Sequence, residues 1–111
     1  MEDSLKSSSP KSIVVRYRTK PDRADENQKL IERVFEELDE RAPDGFGYAS
    51  FRLEDGVSFV HVVVERSQGS ISLNDVAAFR EFVDGIEERC DEPPAAQGAT
   101  IVGSYRLLGS G

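Results

Sequence analysis

The chain has 111 residues, 38% hydrophobic and 32% charged, and a formal charge of −7. That length suits one compact domain with a core that needs no disulfide or metal, and the acidic balance argues against nucleic acid, whose affinity comes from neutralising phosphates with Lys and Arg. A single cysteine excludes an internal disulfide, and no apolar run nears the ~20 residues that span a bilayer, so a cytoplasmic protein with no membrane or nucleic-acid partner is expected.

Residues 1–11, MEDSLKSSSPK, are Ser-rich and aperiodic, and read as a disordered tail ahead of a single domain over 12–109. Residues 12–19, SIVVRYRT, alternate as a strand, with Ile13, Val15 and Tyr17 on one side and Val14, Arg16 and Arg18 on the other. After Lys20-Pro21, Asp22 is placed to cap a helix that runs to about Arg41. Leu30, Ile31, Val34, Phe35 and Leu38 give that helix one apolar stripe. Arg33, Glu37 and Arg41 lie four apart on its exposed side, where they can pair weakly.

Residues 46–65, FGYASFRLEDGVSFVHVVVE, are two strand-forming runs around Asp55-Gly56, the dipeptide suited to the two positive-φ positions of a tight turn. That hairpin would pair Leu53 with Ser58, Phe51 with Val60 and Ala49 with Val62 on an apolar face. Its other face would carry Arg52 with Phe59, Ser50 with His61 and Tyr48 with Val63.

Residues 66–70 read as a loop, and Ser72 with Asp75 matches a capping box. Val76, Phe79, Val83, Ile86 and Cys90 predict a second helix, with Phe82 at the margin of its stripe, Gly85 inside it and Pro93-Pro94 stopping it. Cys90 reads as a small apolar residue near the end of that helix. Residues 99–108 read as the last strand. The charge follows the elements: residues 22–41 carry net −4 and residues 75–92 net −5, leaving mildly basic strands.

The order β-α-β-β-α-β with both helices on one face of the sheet is the ferredoxin-like α+β arrangement, with a four-stranded antiparallel sheet. Its usual strand order sets strand one beside strand three and brings Arg16 near His61. With the helices spent on one face, the other is expected to carry Val14, Tyr48, Phe59, Val63 and either Val102 or Tyr105. So much apolar surface predicts a homodimer through the sheet faces.

From Ile13 to Leu108 the chain resembles the dimeric α/β-barrel superfamily, in particular its antibiotic biosynthesis monooxygenase-like group. The resemblance rests on the βαββαβ unit, on FVHVVVE (Phe59 to Glu65) and on VGSYR (Val102 to Arg106). It implies a dimer with a cavity between sheet and helices. Relatives include cofactor-independent oxygenases of phenolic substrates, haem-degrading enzymes and proteins of unclear role. The haem-degrading branch uses an Asn, a Trp and a His; this chain has no Trp, and Asn27 and Asn74 fall near predicted helix starts.

His61, the only histidine, is the candidate base, with Arg16 holding the resulting anion. Tyr48, Ser50, Arg52, Phe59, Arg18 and Arg106 are the candidate substrate contacts, with Glu54 and Glu65 the nearest carboxylates for the arginines. No metal or other cofactor is expected. Two functions stand side by side. One is a cofactor-independent monooxygenase for a planar phenolic or anionic metabolite. The other is a non-catalytic small-molecule-binding or structural homodimer.

Overall fold

The structure, a computed structural model, describes residues 11–42, 45–65 and 73–106. Strand β1 (Lys11–Thr19) leads through a 3-10 turn at Pro21–Arg23 into helix α1 (Ala24–Arg41). Strands β2 (Phe46–Arg52) and β3 (Ser58–Glu65) form the hairpin. A second 3-10 turn, Leu73–Asp75, precedes helix α2 (Ala77–Val83), the short helix α3 (Ile86–Arg89) and strand β4 (Cys90–Ala99). The sheet order is β2-β3-β1-β4 with every pair antiparallel, so the ferredoxin-like fold is confirmed. No helix among the described residues is long and apolar enough to cross a membrane.

The expected hairpin register holds: Tyr48 pairs with Val63, Ser50 with His61, Phe51 with Val60 and Arg52 with Phe59. The turn is looser than a two-residue loop. Leu53 N–H reaches the Ser58 carbonyl at 2.9 Å, and Gly56 N–H reaches the Leu53 carbonyl at 3.0 Å. Gly56 has a φ of +78°, whereas Asp55 keeps a negative φ and acts through its carboxylate. That carboxylate accepts from the Val57 and Ser58 amides at 2.9 and 2.8 Å and from the Ser58 hydroxyl at 2.6 Å. These bonds hold the Asp55 carboxyl down at about 2.

Strand β1 faces as expected, with Val14 away from the helices, but the two faces of the hairpin are the reverse of the expectation. Tyr17, Tyr48, Phe59 and His61 turn toward the helices, where Tyr17 and His61 meet Phe82 and Tyr48 meets Phe35 and Phe79. Tyr17, Phe59, Ile31, Val34, Phe82 and Cys90 are the buried core. The face away from the helices carries Val14, Arg16 and Arg18 with Val60, Val62, Ala49 and Phe51. A strand pattern shows which residues share a face. It does not show which face of the hairpin joins which face of β1, because that depends on the register between them, and Val15, not Arg16, stands opposite His61.

The second half of the chain differs further. The expected continuous helix breaks at Asp84-Gly85, where Gly85 takes a φ of +80°. The turned chain buries Phe82 and leaves Val83 exposed. Strand β4 then begins at Cys90 and runs through Pro93 and Pro94, and residues 100–106 are not strand. The two prolines are tolerated because β4 lies at the sheet edge and its pairing with β1 shifts register there: Ala95 opposes Arg16 and Glu92 opposes Arg18, leaving Pro93 and Pro94 out of the paired register.

The helix starts are corrected as well. Asp22 lies in the 3-10 turn, and α1 begins without a side-chain cap. The start of α2 is capped from another helix: the Glu37 carboxylate accepts the Ala77 and Ala78 amides at 3.3 and 2.9 Å, besides pairing with Arg41 at 3.2 Å. Residues 1–10 of the expected tail, the loop at 66–70 and Ser72 of the expected capping box lie outside the described residues, while Lys11, the last residue of that tail, opens β1.

Candidate functional site

Between α1 and the hairpin lies an open cleft of about 310 Å³, lined by Gln28, Ile31, Glu32 and Phe35 from the helix and Ser50, Arg52 and Phe59 from the strands. Their spacing collects these residues there once α1 lies over this face of the hairpin, which the sequence did not show. Gln28, Ile31, Glu32 and Phe35 recur at three- and four-residue spacing along one side of α1, while Ser50 and Arg52 share the helix-side face of β2. Phe59 supplies an apolar floor.

Arg52 is held in place. Its Nε donates to the Gly56 carbonyl at 2.9 Å, and one terminal nitrogen donates to Gln28 Oε1 at 2.7 Å and to Asp25 Oδ1 at 3.2 Å. Its guanidinium also stands over the Phe59 ring at 5.6 Å. The cleft therefore offers apolar and aromatic walls with one fixed cation and one hydroxyl.

Behind the cleft runs a row of buried polar side chains. The Tyr48 hydroxyl lies 2.6 Å from His61 Nδ1, and the Tyr17 hydroxyl 2.8 Å from His61 Nε2. Asn27 Nδ2 donates to the Tyr17 hydroxyl oxygen at 2.9 Å, and Arg89 Nε donates to Asn27 Oδ1 at 3.1 Å. The other Arg89 nitrogens donate to the Phe82 and Asp84 carbonyls at 2.5 and 3.3 Å, closing the end of α2, while the guanidinium stacks on the Phe82 ring. Burial pulls the His61 pKa down to about 4 and pushes both tyrosines well above their usual value. His61 is thus neutral near pH 7, with both ring nitrogens engaged.

Of the expected site residues, Ser50, Arg52 and Phe59 line the cleft, and Tyr48 and His61 stand behind it. The others are elsewhere. Arg16 opposes Val60, on the other face of the sheet from His61, so the expected Arg16–His61 pair does not form. Arg18 shares that far face and pairs with Glu92 at 3.6 Å, not with Glu54 or Glu65. Arg106 lies beyond β4 and stacks on Tyr105, its own neighbour. The arginines therefore make separate local contacts and no common cluster.

Asn27, Tyr17 and Arg89 were not among the expected site residues, although the sequence carries a signal for two of them. Asn27 lies in register with Ile31 and Val34 on α1, and Arg89 follows Phe82 and Ile86 at helical spacing. A polar residue inside an apolar stripe is buried with a partner. Among the described residues, no group of three or more His, Cys, Asp or Glu side chains is placed to hold a metal ion.

The fold is that of the ferredoxin-like, antibiotic biosynthesis monooxygenase-like proteins. Rv0793 from Mycobacterium tuberculosis aligns over 86% of this chain and 98% of its own, with 20% identity and a TM-score of 0.67. PA3566 from Pseudomonas aeruginosa aligns over 86% and 97%, with 15% identity and a TM-score of 0.69. A protein described as an antibiotic biosynthesis monooxygenase aligns over 84% and 99%, with 15% identity and a TM-score of 0.61. No protein-family profile matches the chain, and no curated protein does.

Proposed function

We propose that this protein is a cofactor-independent monooxygenase-like enzyme that binds a planar phenolic or anionic metabolite in the cleft between α1 and the hairpin. The observation that carries the reading is the cleft itself, where Phe35 offers an aromatic wall to a flat ring and Ser50 and Arg52 can meet its oxygen. The fold it shares with a protein named as a monooxygenase adds support. An electron-rich phenolic substrate can supply all the electrons itself. A methylene carbon becomes a carbonyl, one atom of O2 enters the product and the other leaves as water. The Arg52 guanidinium would hold the phenolate form, in which the ring gives up electrons most readily.

Oxygen uptake with hydroquinones and anthrones, without added metal, flavin or haem, tests the reading. Equimolar consumption of O2 and anthrone, lost in Arg52→Ala, is the expected result. A ligand that binds in the cleft with no uptake points to the second reading, a non-catalytic binding protein. One observation favours that alternative: both nitrogens of the only histidine are occupied by tyrosines, so no imidazole is free to act as a base.

We also infer that the protein works as a homodimer through the sheet face opposite the helices. What supports this is the apolar row Val14, Val60, Val62, Ala49 and Phe51 on that face. Phe51 remains 41% exposed in one chain.

A further inference from the structure

The buried polar row has a direction, and Arg89 sets it. Arg89 is 3% exposed, and a guanidinium can only donate. Its bond to Asn27 therefore fixes the amide, with Oδ1 toward Arg89 and Nδ2 toward Tyr17. The Tyr17 oxygen accepts from Asn27, so the Tyr17 hydroxyl proton needs another acceptor. Tyr17 is 2% exposed, and His61 Nε2 at 2.8 Å provides that acceptor. A neutral imidazole that accepts at Nε2 carries its proton on Nδ1 and donates it to the Tyr48 oxygen, 2.6 Å away. The hydroxyl proton of Tyr48 is then not used by the histidine.

The opposite tautomer would point the Tyr48 proton at Nδ1 and leave the Tyr17 proton with no acceptor. A hydroxyl proton is costlier to strand on the deeply buried Tyr17 than on the half-buried Tyr48. Tyr48 also stands beside the cleft. Its ring stacks on Phe35 of the cleft wall at 4.9 Å, and it precedes Ser50 by two residues on the same face of β2.

We propose that Arg89, Asn27, Tyr17 and His61 form a polarised relay that holds His61 in its Nδ1–H tautomer and makes the Tyr48 hydroxyl a hydrogen-bond donor to the ligand. The ligand it selects presents an acceptor oxygen, such as a phenolate, enolate, carboxylate or carbonyl. Asn27 and Arg89 are positioning residues, acting on the ligand only through the proton order. The tautomer follows from the hydrogen bonds alone, whereas the choice of ligand rests on the cleft reading of the previous subsection.

The single histidine makes the relay directly measurable by 15N NMR of the imidazole. The wild-type ring should show a pyrrole-like Nδ1 and a pyridine-like Nε2. Asn27→Asp should reverse the order: the carboxylate accepts from both Arg89 and Tyr17, the Tyr17 oxygen then accepts from Nε2–H, and Nδ1 accepts from Tyr48. An Nε2–H tautomer in the wild type, or an unchanged tautomer in folded Asn27→Asp, would overturn the relay. For the ligand, titration with 4-nitrophenolate at pH 8.5 should give a dissociation constant at least about tenfold weaker in both Tyr48→Phe and Asn27→Asp. Equal affinity in all three proteins overturns the Tyr48 assignment alone. No binding to the wild type overturns the cleft reading with it, whichever tautomer the spectra show.

Discussion

His61 spends its basicity on burial. With its pKa lowered from 6.5 to about 4, the unfolded chain takes up a proton in that interval that the folded protein refuses. Stability is therefore full above pH 6.5 and declines as the pH falls toward 4, by about 3 kcal/mol over the whole window. Urea unfolding at pH 7 and pH 4.5 should show the loss, and His61→Phe should flatten the slope between those values. The same substitution should cost about 1–3 kcal/mol at pH 7, because it strips the partner from two tyrosine hydroxyls. An unchanged slope in the variant would mean that other groups set the pH dependence. The Asp55 carboxyl, held at about 2 against an ordinary 3.8, adds a separate loss at lower pH and does not overlap the histidine window.

At this scale the sequence showed Ser50, Arg52 and Phe59 on one face, and the structure gathers them in one cleft. It did not show Arg16 on the far side of the sheet from His61. Face membership follows from counting along β1 and β3, but proximity also needs the register between them. Val15, not Arg16, stands opposite His61.

Among the elements, the hairpin was fully legible in register because alternating apolar residues and one Asp-Gly turn leave few alternatives. The second helix and last strand were not. Gly85 reads as a weak point inside a continuous helix, and Pro93-Pro94 as a terminator. The folded chain instead turns at Gly85 and uses the prolines on an edge strand, at a register shift where neither is paired with β1. Gly85→Ala tests the turn. A Cβ there meets only Arg89 Nη1, at an ordinary 3.8 Å, so the penalty comes from placing a side chain at a φ of +80°. About 1–2 kcal/mol is expected, read as a drop of several degrees in Tm. No change in Tm would indicate a regular helix through residue 85.

Taken as a whole, the molecule has two unlike sheet faces, and substitutions on them should separate assembly from folding. Phe51→Asp puts a charge on the open face and should shift the species seen in light scattering from dimer to monomer, with the circular dichroism of a folded chain retained. Phe59→Asp buries the charge in the core beside Tyr17, where Phe59 is 1% exposed, and should unfold the protein outright. A wild-type monomer at micromolar concentration would remove the dimer from the account.

The measurement closest to the central claim, that the ligand site lies on the helix side of the sheet, is an amide NMR titration with hydroquinone and 4-hydroxybenzoate. The account predicts shifts concentrated at Gln28, Phe35, Ser50, Arg52 and Phe59, with Arg16, Arg18 and Val60 unmoved. Shifts centred on Arg16, Arg18 and Val60 would contradict it and move the site to the opposite face.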